Sequence, residues 1–376
     1  MSHRTSSFAL ACFLILLSTT QGQTDGKYGQ FAPPDAFEDD SGLAYYGSEN
    51  EWDRRQFSQK KADAGYKRRG QRQLLAILNG QEEEARRLAG LRLDQDPQDL
   101  EAMFTRTAAY CRLGRLDDAL ESMSAAVDAG LPVERFLAGP RDLLAPLTNH
   151  PKFQELARKQ TTGLIHGPML GALTHRSARV WVRTPVTATV PIPVYKADAP
   201  HRPTGGEVVR AEAKSDPQTD FTAVVSIEGL EPSTRYVYDV LINESSVLRT
   251  KSLPAITTFP TDPRHQTLRF AVGGGAGFTP AHERIWDTIA DQEPDALLLL
   301  GDNVYIDLPE KPRGLHQYTY YRRQSRPEFR RLVSSTPVFA IWDDHDCALD
   351  DVWMGPYLDR PSWKPDMLRV FQPGLR

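Results

Sequence analysis

The chain has 376 residues, of which 40% are hydrophobic and 25% are charged, and its formal net charge is −4. At about 150 residues per domain, this length predicts two or three globular domains. Because neither sign of charge dominates and the arginines form no stripe, the composition does not favour a nucleic acid as partner.

The N-terminus has the pattern of a signal peptide over residues 1–22. A basic start that includes Arg4 precedes an apolar run at residues 8–17, and small polar residues follow it. The run is too short for a stable membrane span, so we expect a secreted or periplasmic protein. Residues 23–65 are polar, contain Pro33 and Pro34, and predict a poorly ordered linker.

Residues 66–160 predict a helical region with an internal repeat. Gly80 and Gly114 lie 34 positions apart, as do Ala85 and Ala119. This spacing resembles the tetratricopeptide repeat (TPR), in which glycine closes the first helix and small residues let two helices pack closely. With fewer than three clear repeats, two interpretations stay open: a groove that binds a protein partner, or a helical cap packed on the rest of the chain.

Residues 164–260 predict half-buried strands at 178–183, 190–195, 221–227 and 236–242, separated by turns rich in proline and glycine. Residues 229–238 read Gly-Leu-Glu-Pro-Ser-Thr-Arg-Tyr-Val-Tyr and resemble the corner of a fibronectin-type sandwich. We therefore expect a β-sandwich here, without chemistry of its own.

Residues 267–376 predict strands that alternate with helices. The strands are expected at 268–272, 296–300 and 338–342, and the helices at 280–292 and 317–333, the second interrupted at Pro327. This order implies parallel pairing with right-handed crossovers, which brings the C-terminal ends of the strands to one edge of the sheet. The polar residues that follow the second and third strands should therefore converge; they are Asp302, Asn303, Tyr305, Asp343, Asp344 and His345.

These side chains suit a metal centre for phosphoryl chemistry. Carboxylate and phenolate oxygens are hard donors that favour Ca, Mg, Mn or ferric Fe ions. Two such ions can clamp a phosphoryl group and acidify a bound water, and a histidine beside them can donate to a phosphoryl oxygen or the departing alkoxide. The simpler alternative is that Asp302 and Asp343 only cap loops or the following helix; the presence of both clusters favours the metal centre.

Both motifs resemble those of the PhoD-like alkaline phosphatase family within the calcineurin-like metallophosphoesterases. Residues 301–305 read Gly-Asp-Asn-Val-Tyr and residues 342–346 read Trp-Asp-Asp-His-Asp. The resemblance implies that Asp302 bridges two metal ions, that Tyr305 is a further ligand and that Asp344 replaces an asparagine ligand of the wider superfamily. Asp343 is a further metal candidate because it belongs to the second converging cluster. It also implies that His345 is the catalytic residue that contacts the phosphate or assists the leaving group.

Further candidates for substrate binding surround these motifs. Asn303 lies within the first motif, and Gly274 and Gly275 could form an anion-binding nest of backbone N–H groups or only a flexible turn. Arg322 and Arg323 belong to a basic, tyrosine-rich stretch that either lines the substrate mouth or forms a solvated helix face.

The chain departs from the family at two places. The family's first strand ends in a cysteine ligand, whereas Val272 here is followed by Gly273, and no histidine follows His345 where the family has a Gly-Asp-x-His motif. The resemblance therefore implies a shortened metallophosphoesterase domain. Cys347 is either a substitute ligand or an apolar filler, and no disulfide with Cys111 is expected because the two lie in different predicted domains.

The sequence as a whole predicts a multidomain protein with a TPR-like α-helical region, a fibronectin-like β-sandwich and a partial α/β metallophosphoesterase domain. The predicted function is a secreted phosphatase or phosphodiesterase that hydrolyses phosphate esters with a metal-activated water. The alternative is a non-catalytic interaction protein, in which the helices and the sandwich bind partners and the metal domain is a remnant.

Overall fold

The computed structural model describes residues 66–161, 163–199, 202–248, 252–262, 267–307, 312–347, 359 and 363–371. The predicted signal peptide at 1–22 and linker at 23–65 lie outside the described residues. The described helices are α1 (Gln71–Leu78), α2 (Glu82–Gln95), α3 (Leu100–Arg112), α4 (Leu116–Asp128), α5 (Glu134–Ala138), α6 (Arg141–Thr148), α7 (Pro151–Gln160), α8 (Ile285–Ala290), α9 (Pro312–Gln324), α10 (Pro327–Ser335), α11 (Asp344–Cys347) and α12 (Lys364–Phe371). None of them is long and apolar enough to cross a membrane.

The described strands are β1 (His166–Gly171), β2 (Ala178–Arg183), β3 (Thr189–Ala199), β4 (Arg202–Lys214), β5 (Thr222–Ile227), β6 (Arg235–Tyr238), β7 (Leu241–Ile242), β8 (Ser245–Ser246), β9 (Ala255–Thr257), β10 (Phe270–Gly273), β11 (Ala296–Leu300) and β12 (Val338–Ile341). The chain thus combines helices with mixed and antiparallel sheets, and one sheet contains parallel strands.

The internal repeat corresponds to two helix hairpins, α1–α2 and α3–α4. Gly80 and Gly114 each lie two residues beyond the first helix of their hairpin, with φ values of 76° and 72°. Glycine adopts this left-handed conformation at low cost, which explains why it ends both helices. Ala85 and Ala119 are fully buried where the helices approach each other. Membership of the tetratricopeptide family stays a prediction.

The helical region packs on the α/β region through one shared apolar core. Phe104 of α3 lies 5.4 Å from Phe136 of α5 and 5.7 Å from Tyr318 of α9, between ring centroids. The same core contains Leu74 of α1 and Ile306, which follows the first motif. Burying each of these large side chains stabilises the fold by about 1.5–3 kcal/mol. This packing agrees with the helical-cap interpretation, and a protein partner for the helices stays a prediction.

The β region contains two layers whose side chains meet in one core. Strands β1, β2 and β5 pair antiparallel in one layer, and β4, β3, β6 and β9 in the other. Val180 and Val225 from the first layer share a core with Ile192 and Tyr238 from the second. At the predicted corner, the backbone N–H of Glu231 donates to the hydroxyl oxygen of Tyr236 at 2.8 Å. The assignment to the fibronectin type stays a prediction.

The predicted parallel strands of the α/β region are confirmed. Leu298 of β11 pairs with Val272 of β10 and with Phe339 of β12, all in parallel register. Helices α8 and α10 cover one face of these strands, where Trp286 and Leu299 pack with residues of α10. The opposite face is apolar and exposed in the described residues, at Phe270, Val272, Leu300, Phe339 and Ile341.

The parallel strands and the first β layer form one continuous sheet. Strand β12 pairs parallel with β1 at Val338 and Gly171, so the strand order is β10-β11-β12-β1-β2-β5. The sequence predicted separate domains at 164–260 and 267–376. A sheet that crosses this boundary makes the β region a direct structural support for the strands that carry the two motifs.

Candidate metal centre

The two motif loops meet at the C-terminal edge of β11 and β12, as their order in the sequence predicts. The chain turns sharply after β11, where Gly301 and Asp302 have φ values of 94° and 52°. A Cβ atom on Gly301 would lie only 2.6 Å from the Cβ of Asp343 in the second motif. The close approach of the loops therefore requires glycine at this position.

Asp346 joins the two loops by hydrogen bonds. Its carboxyl accepts the backbone N–H of Asn303 and of Asp343, each at 3.0 Å, and that of Val304 at 3.2 Å. The hydroxyl of Tyr320 donates to the same carboxyl at 3.0 Å. Burial raises the pKa of Asp346, and the hydrogen bonds from these N–H groups act in the opposite direction. Asp346 thus holds the loops together.

Asp302, Asp344 and His345 form a candidate cation site. Each offers one ligand atom, and these atoms all lie within 4.8 Å of one another. Oδ1 of Asp302 is buried and accepts no hydrogen bond from any described residue. Burying a carboxylate oxygen without a hydrogen-bond partner costs free energy. Ligand atoms that each lie about 2.0–2.6 Å from one hard cation lie within about the observed distance of one another. The donor set therefore fits one such ion, and the second ion of the sequence analysis stays a prediction.

Tyr305 lies beside this group. Its hydroxyl donates to Oδ2 of Asp302 at 3.4 Å, and its ring centroid lies 4.4 Å from that of His345. Burial, together with the Asp302 carboxylate, raises the pKa of Tyr305 to about 12. The side chain is therefore a neutral hydrogen-bond donor near neutral pH. Its role as a phenolate ligand stays a prediction.

Asp343 lies outside the group of three and is exposed. Its Oδ1 accepts the backbone N–H of Asp344 at 2.9 Å, where α11 begins. Asp343 therefore stands at the N-cap position of α11, although its side chain accepts the first N–H of the helix and not the second or third. The structure therefore does not bring Asp343 into the candidate cation site.

His345 is held by an aspartate that the sequence analysis did not identify. Nδ1 of His345 is hydrogen-bonded to Oδ1 of Asp307, and the other carboxyl oxygen of Asp307 pairs with Nε of Arg68. Burial alone would lower the pKa of His345, but the hydrogen bond to Asp307 and the nearby charges of Asp344 and Asp302 outweigh it, so the pKa is raised. The only sequence signal for Asp307 was its position five residues after Asp302.

Asn303 and Gly275 form hydrogen bonds within and between the loops of the site. The side-chain amide of Asn303 donates to the carbonyl oxygen of Ile341 at 2.8 Å, and its own Oδ1 is buried without a hydrogen bond from the described residues. The backbone N–H of Gly275 donates to the carbonyl oxygen of Gly301 at 3.3 Å. This N–H is therefore engaged within the protein, which agrees with the turn alternative at Gly275; an anion nest that includes Gly274 stays a prediction.

Arg322 and Arg323 do not line a substrate mouth. Arg322 is 1% exposed and donates to the carbonyl oxygens of Tyr66, Lys67 and Arg69. Arg323 is also buried and forms an ion pair with Glu283 at 3.1 Å. The prediction of substrate binding at these two positions does not agree with the structure, because both side chains are buried and their terminal guanidinium nitrogens donate to protein acceptors.

The contacts of Arg322 lead to a second part of the site that the sequence analysis did not identify. This part is the 3-10 turn Tyr66–Arg68. Nζ of Lys67 lies 3.6 Å from the ring centroid of Tyr305, and Arg68 reaches Asp307. More than 230 residues separate this turn from Tyr305 in the sequence. Such a contact cannot be read from local patterns.

Comparison with known protein families identifies one region of the chain. Residues 161–259 match a family model described as a domain of unknown function, DUF7800, which covers the β region but not the candidate metal centre. No curated protein matches the chain significantly.

Two solved structures show limited similarity. A protein described as "Structure of PhoD" has 14% identity and a TM-score of 0.45, over 57% of this chain and 45% of that chain. The sensor domain of an anti-sigma factor from Pseudobacteroides cellulosolvens has 16% identity and a TM-score of 0.18, over 27% of this chain and 92% of that chain. This chain thus spans less than half of the first structure, and TM-scores below 0.5 do not establish a shared fold.

Proposed function

We propose that the chain is a metal-dependent hydrolase of phosphoric esters, with its centre at Asp302, Asp344 and His345. The observation that carries this proposal is the convergence of their donor atoms within 4.8 Å at the C-terminal edge of the parallel strands β11 and β12. Ligands and active sites of open α/β sheets occupy this edge. The motifs at 301–305 and 342–346, which resemble those of PhoD-like phosphatases, add the reaction class.

The residues of the centre have distinct parts in this proposal. Asp302 and Asp344 hold a hard cation such as Ca, Mg, Mn or Fe, which would supply Lewis acidity and an acidified water. Without a bound cation, Tyr305 is protonated and donates a hydrogen bond to Asp302. A cation at Asp302 would favour the phenolate of Tyr305, the ligand form that the sequence predicts. His345, oriented through Nδ1 by Asp307, contacts the phosphate or protonates the leaving oxygen through Nε2.

We also propose that the protein is secreted, on the strength of the signal-peptide pattern at residues 1–22. A secreted phosphatase acts on phosphate esters outside the cytoplasm. Both monoesters and diesters are candidate substrates. Parallel assays with a chromogenic phosphate monoester and a chromogenic diester would rank them.

Metal analysis and hydrolysis assays on the same preparations test the function. We expect Asp302→Asn and Asp344→Asn to lose bound metal and to lower kcat/KM by at least about 100-fold, since both remove a negatively charged ligand. Asp291→Asn, at an exposed aspartate after α8, is the matched control and should behave as wild type.

The outcomes separate the two functions that the sequence leaves open. Hydrolysis that survives both Asp302→Asn and Asp344→Asn would exclude this centre. A wild-type protein that binds none of the tested metals would instead support the non-catalytic interaction protein. His345→Gln assigns the histidine: retained metal with lost turnover makes it a proton donor, whereas lost metal makes it a ligand.

A further inference from the structure

The turn Tyr66–Arg68 brings the helical region into the candidate metal centre. We infer that Lys67 belongs to the substrate site and binds the anionic oxygens of the phosphate ester, an inference that rests on the proposed function. The helical region then completes the site instead of serving only as a cap.

The backbone of this turn is fixed from the α/β region. Arg322 of α9 donates to the carbonyl oxygens of Tyr66, Lys67 and Arg69. The hydroxyl of Tyr318, also on α9, donates to the carbonyl oxygen of Arg69 at 2.7 Å. These buried bonds set the position from which the Lys67 side chain extends.

The residue at which the chain leaves the turn is Gly70, and the close approach of Tyr318 requires glycine at this position. Gly70 has a φ of 83°, and a Cβ atom there would lie 1.9 Å from the hydroxyl oxygen of Tyr318. Any other residue would displace Tyr318 and strain the backbone. The geometry of residues 66–70 is therefore specified by both regions together.

The Lys67 side chain lies on the first motif. Its Nζ is 3.6 Å from the ring centroid of Tyr305, whose hydroxyl is 3.4 Å from Oδ2 of Asp302. Its stem passes Gly277, where an added Cβ would lie 3.3 Å from Cδ of Lys67. The cation–π contact holds the ammonium group next to the candidate cation site.

The charges around this position favour an anion-binding role. In the proposed function a divalent cation balances the two carboxylates of Asp302 and Asp344, so an anionic phosphate ester gains from a further positive charge beside the site. Lys67 is half-buried at the rim of the centre, and a lysine ammonium there acts as a point charge towards phosphate oxygens.

The test measures phosphate binding separately from metal binding. Lys67→Met removes the charge and keeps the apolar stem, Lys67→Arg restores a cation, and Lys152→Met changes an exposed lysine of α7 as the control. Bound manganese is quantified for each protein, and inorganic phosphate is titrated into the manganese-loaded form by calorimetry.

We expect Lys67→Met to retain manganese and to raise the Kd of phosphate by about tenfold, as loss of one charge-assisted contact implies. Lys67→Arg should stay within about threefold of wild type, and Lys152→Met should match it. If the methionine variant does not fold, Lys67→Gln replaces it.

Failure of this inference differs from failure of the proposed function. A Lys67→Met protein that binds manganese and phosphate as wild type does would overturn the role of Lys67 and leave the metal centre intact. A wild-type protein that binds none of calcium, magnesium, manganese and iron would overturn both, whereas one that binds manganese but not phosphate would overturn the role of Lys67 alone.

Discussion

Asp307 accepts a hydrogen bond from Nδ1 of His345 at the edge of the candidate metal centre. Asp307 is fully buried, and Arg68 pairs with its second oxygen. A carboxylate behind a histidine fixes the ring orientation and the tautomer. The relationship makes Asp307 a positioning residue for His345, although Asp307 lies outside both sequence motifs.

Replacing Asp307 should therefore impair turnover through His345. We expect Asp307→Asn to lower the hydrolysis rate by about 10–100-fold, because the amide keeps the size but loses the charge that holds the imidazole. The rate is measured with a chromogenic phosphate ester, and the metal content is measured beside it. Arg68→Met, which leaves the carboxylate in place, should give a smaller loss; equal rates in wild type and Asp307→Asn would remove Asp307 from the site.

Asp346 should contribute strongly to the stability of the fold, because it joins the two motif loops. Asp346→Ala leaves the N–H groups of Asn303, Val304 and Asp343 without their acceptor, so we expect a loss of about 3 kcal/mol or more in the free energy of unfolding. Urea unfolding of metal-free protein measures it. Asp343→Ala removes one exposed hydrogen bond and should cost at most about 1 kcal/mol. Similar values for the two variants would contradict the difference in role.

The raised pKa of Asp346 gives this contribution a pH dependence. A carboxyl whose folded pKa is raised stabilises the protein most below its unfolded pKa, about 3.9, and loses that contribution as pH rises through the folded pKa. The stability of metal-free wild type relative to Asp346→Asn should therefore fall with rising pH across this interval. Unfolding curves of both proteins at several acidic pH values measure the trend, and a relative stability that rises instead would give the wrong sign.

The approach of the two motif loops predicts different tolerance at two nearby glycines. Gly301→Ala forces a contact with Asp343 and strains a left-handed residue, so we expect loss of metal binding and about 2–4 kcal/mol of destabilisation. Gly273→Ala meets no atom within 4 Å and should leave both properties close to wild type. Metal analysis and thermal unfolding compare them; a Gly301→Ala protein with normal metal content would show that the loops can separate without harm.

The sequence predicted the parts of the fold that local periodicity encodes. Alternating strands and helices from β10 to β12 gave parallel pairing, which placed Asp302, Asp344 and His345 together at one edge. The pairing of β12 with β1 was not predictable, because turns and crossovers between neighbouring elements carry no signal for it. Roles that depend on distant partners were missed for the same reason: a helix rich in arginine looks solvated until the carbonyl oxygens of residues 66–69 are placed against it.

Both described cysteines should be inert in the folded protein. Cys111 and Cys347 are free and buried, and burial raises the pKa of the Cys111 thiol to about 12 and that of Cys347 further. The thiolate is the reactive form, so we expect neither to react with iodoacetamide at mildly alkaline pH until the protein unfolds. Mass spectrometry of peptides from native and urea-treated protein checks this. Rapid labelling of Cys347 in the folded protein would show that its thiol is accessible, and would support the alternative that Cys347 is a metal ligand.

Arg322 should couple the helical region to the metal centre. Arg322→Met removes the donors that hold the carbonyl oxygens of Tyr66, Lys67 and Arg69, and we expect a loss of about 3–5 kcal/mol in the free energy of unfolding. Arg331→Met, which breaks an exposed ion pair with Asp287, should cost at most about 1 kcal/mol.

The same pair of variants distinguishes local damage from coupling. With the turn released, Lys67 no longer rests on Tyr305, so the Arg322→Met protein should bind manganese but bind phosphate more weakly, under conditions where it remains folded. Arg331→Met should bind both as wild type does. Arg322 lies on α9, which contacts both the helical region and the motif loops. If Arg322→Met weakens phosphate binding and Arg331→Met does not, the coupling acts through the turn at residues 66–68. Equal phosphate affinity in both variants would separate the turn from the site.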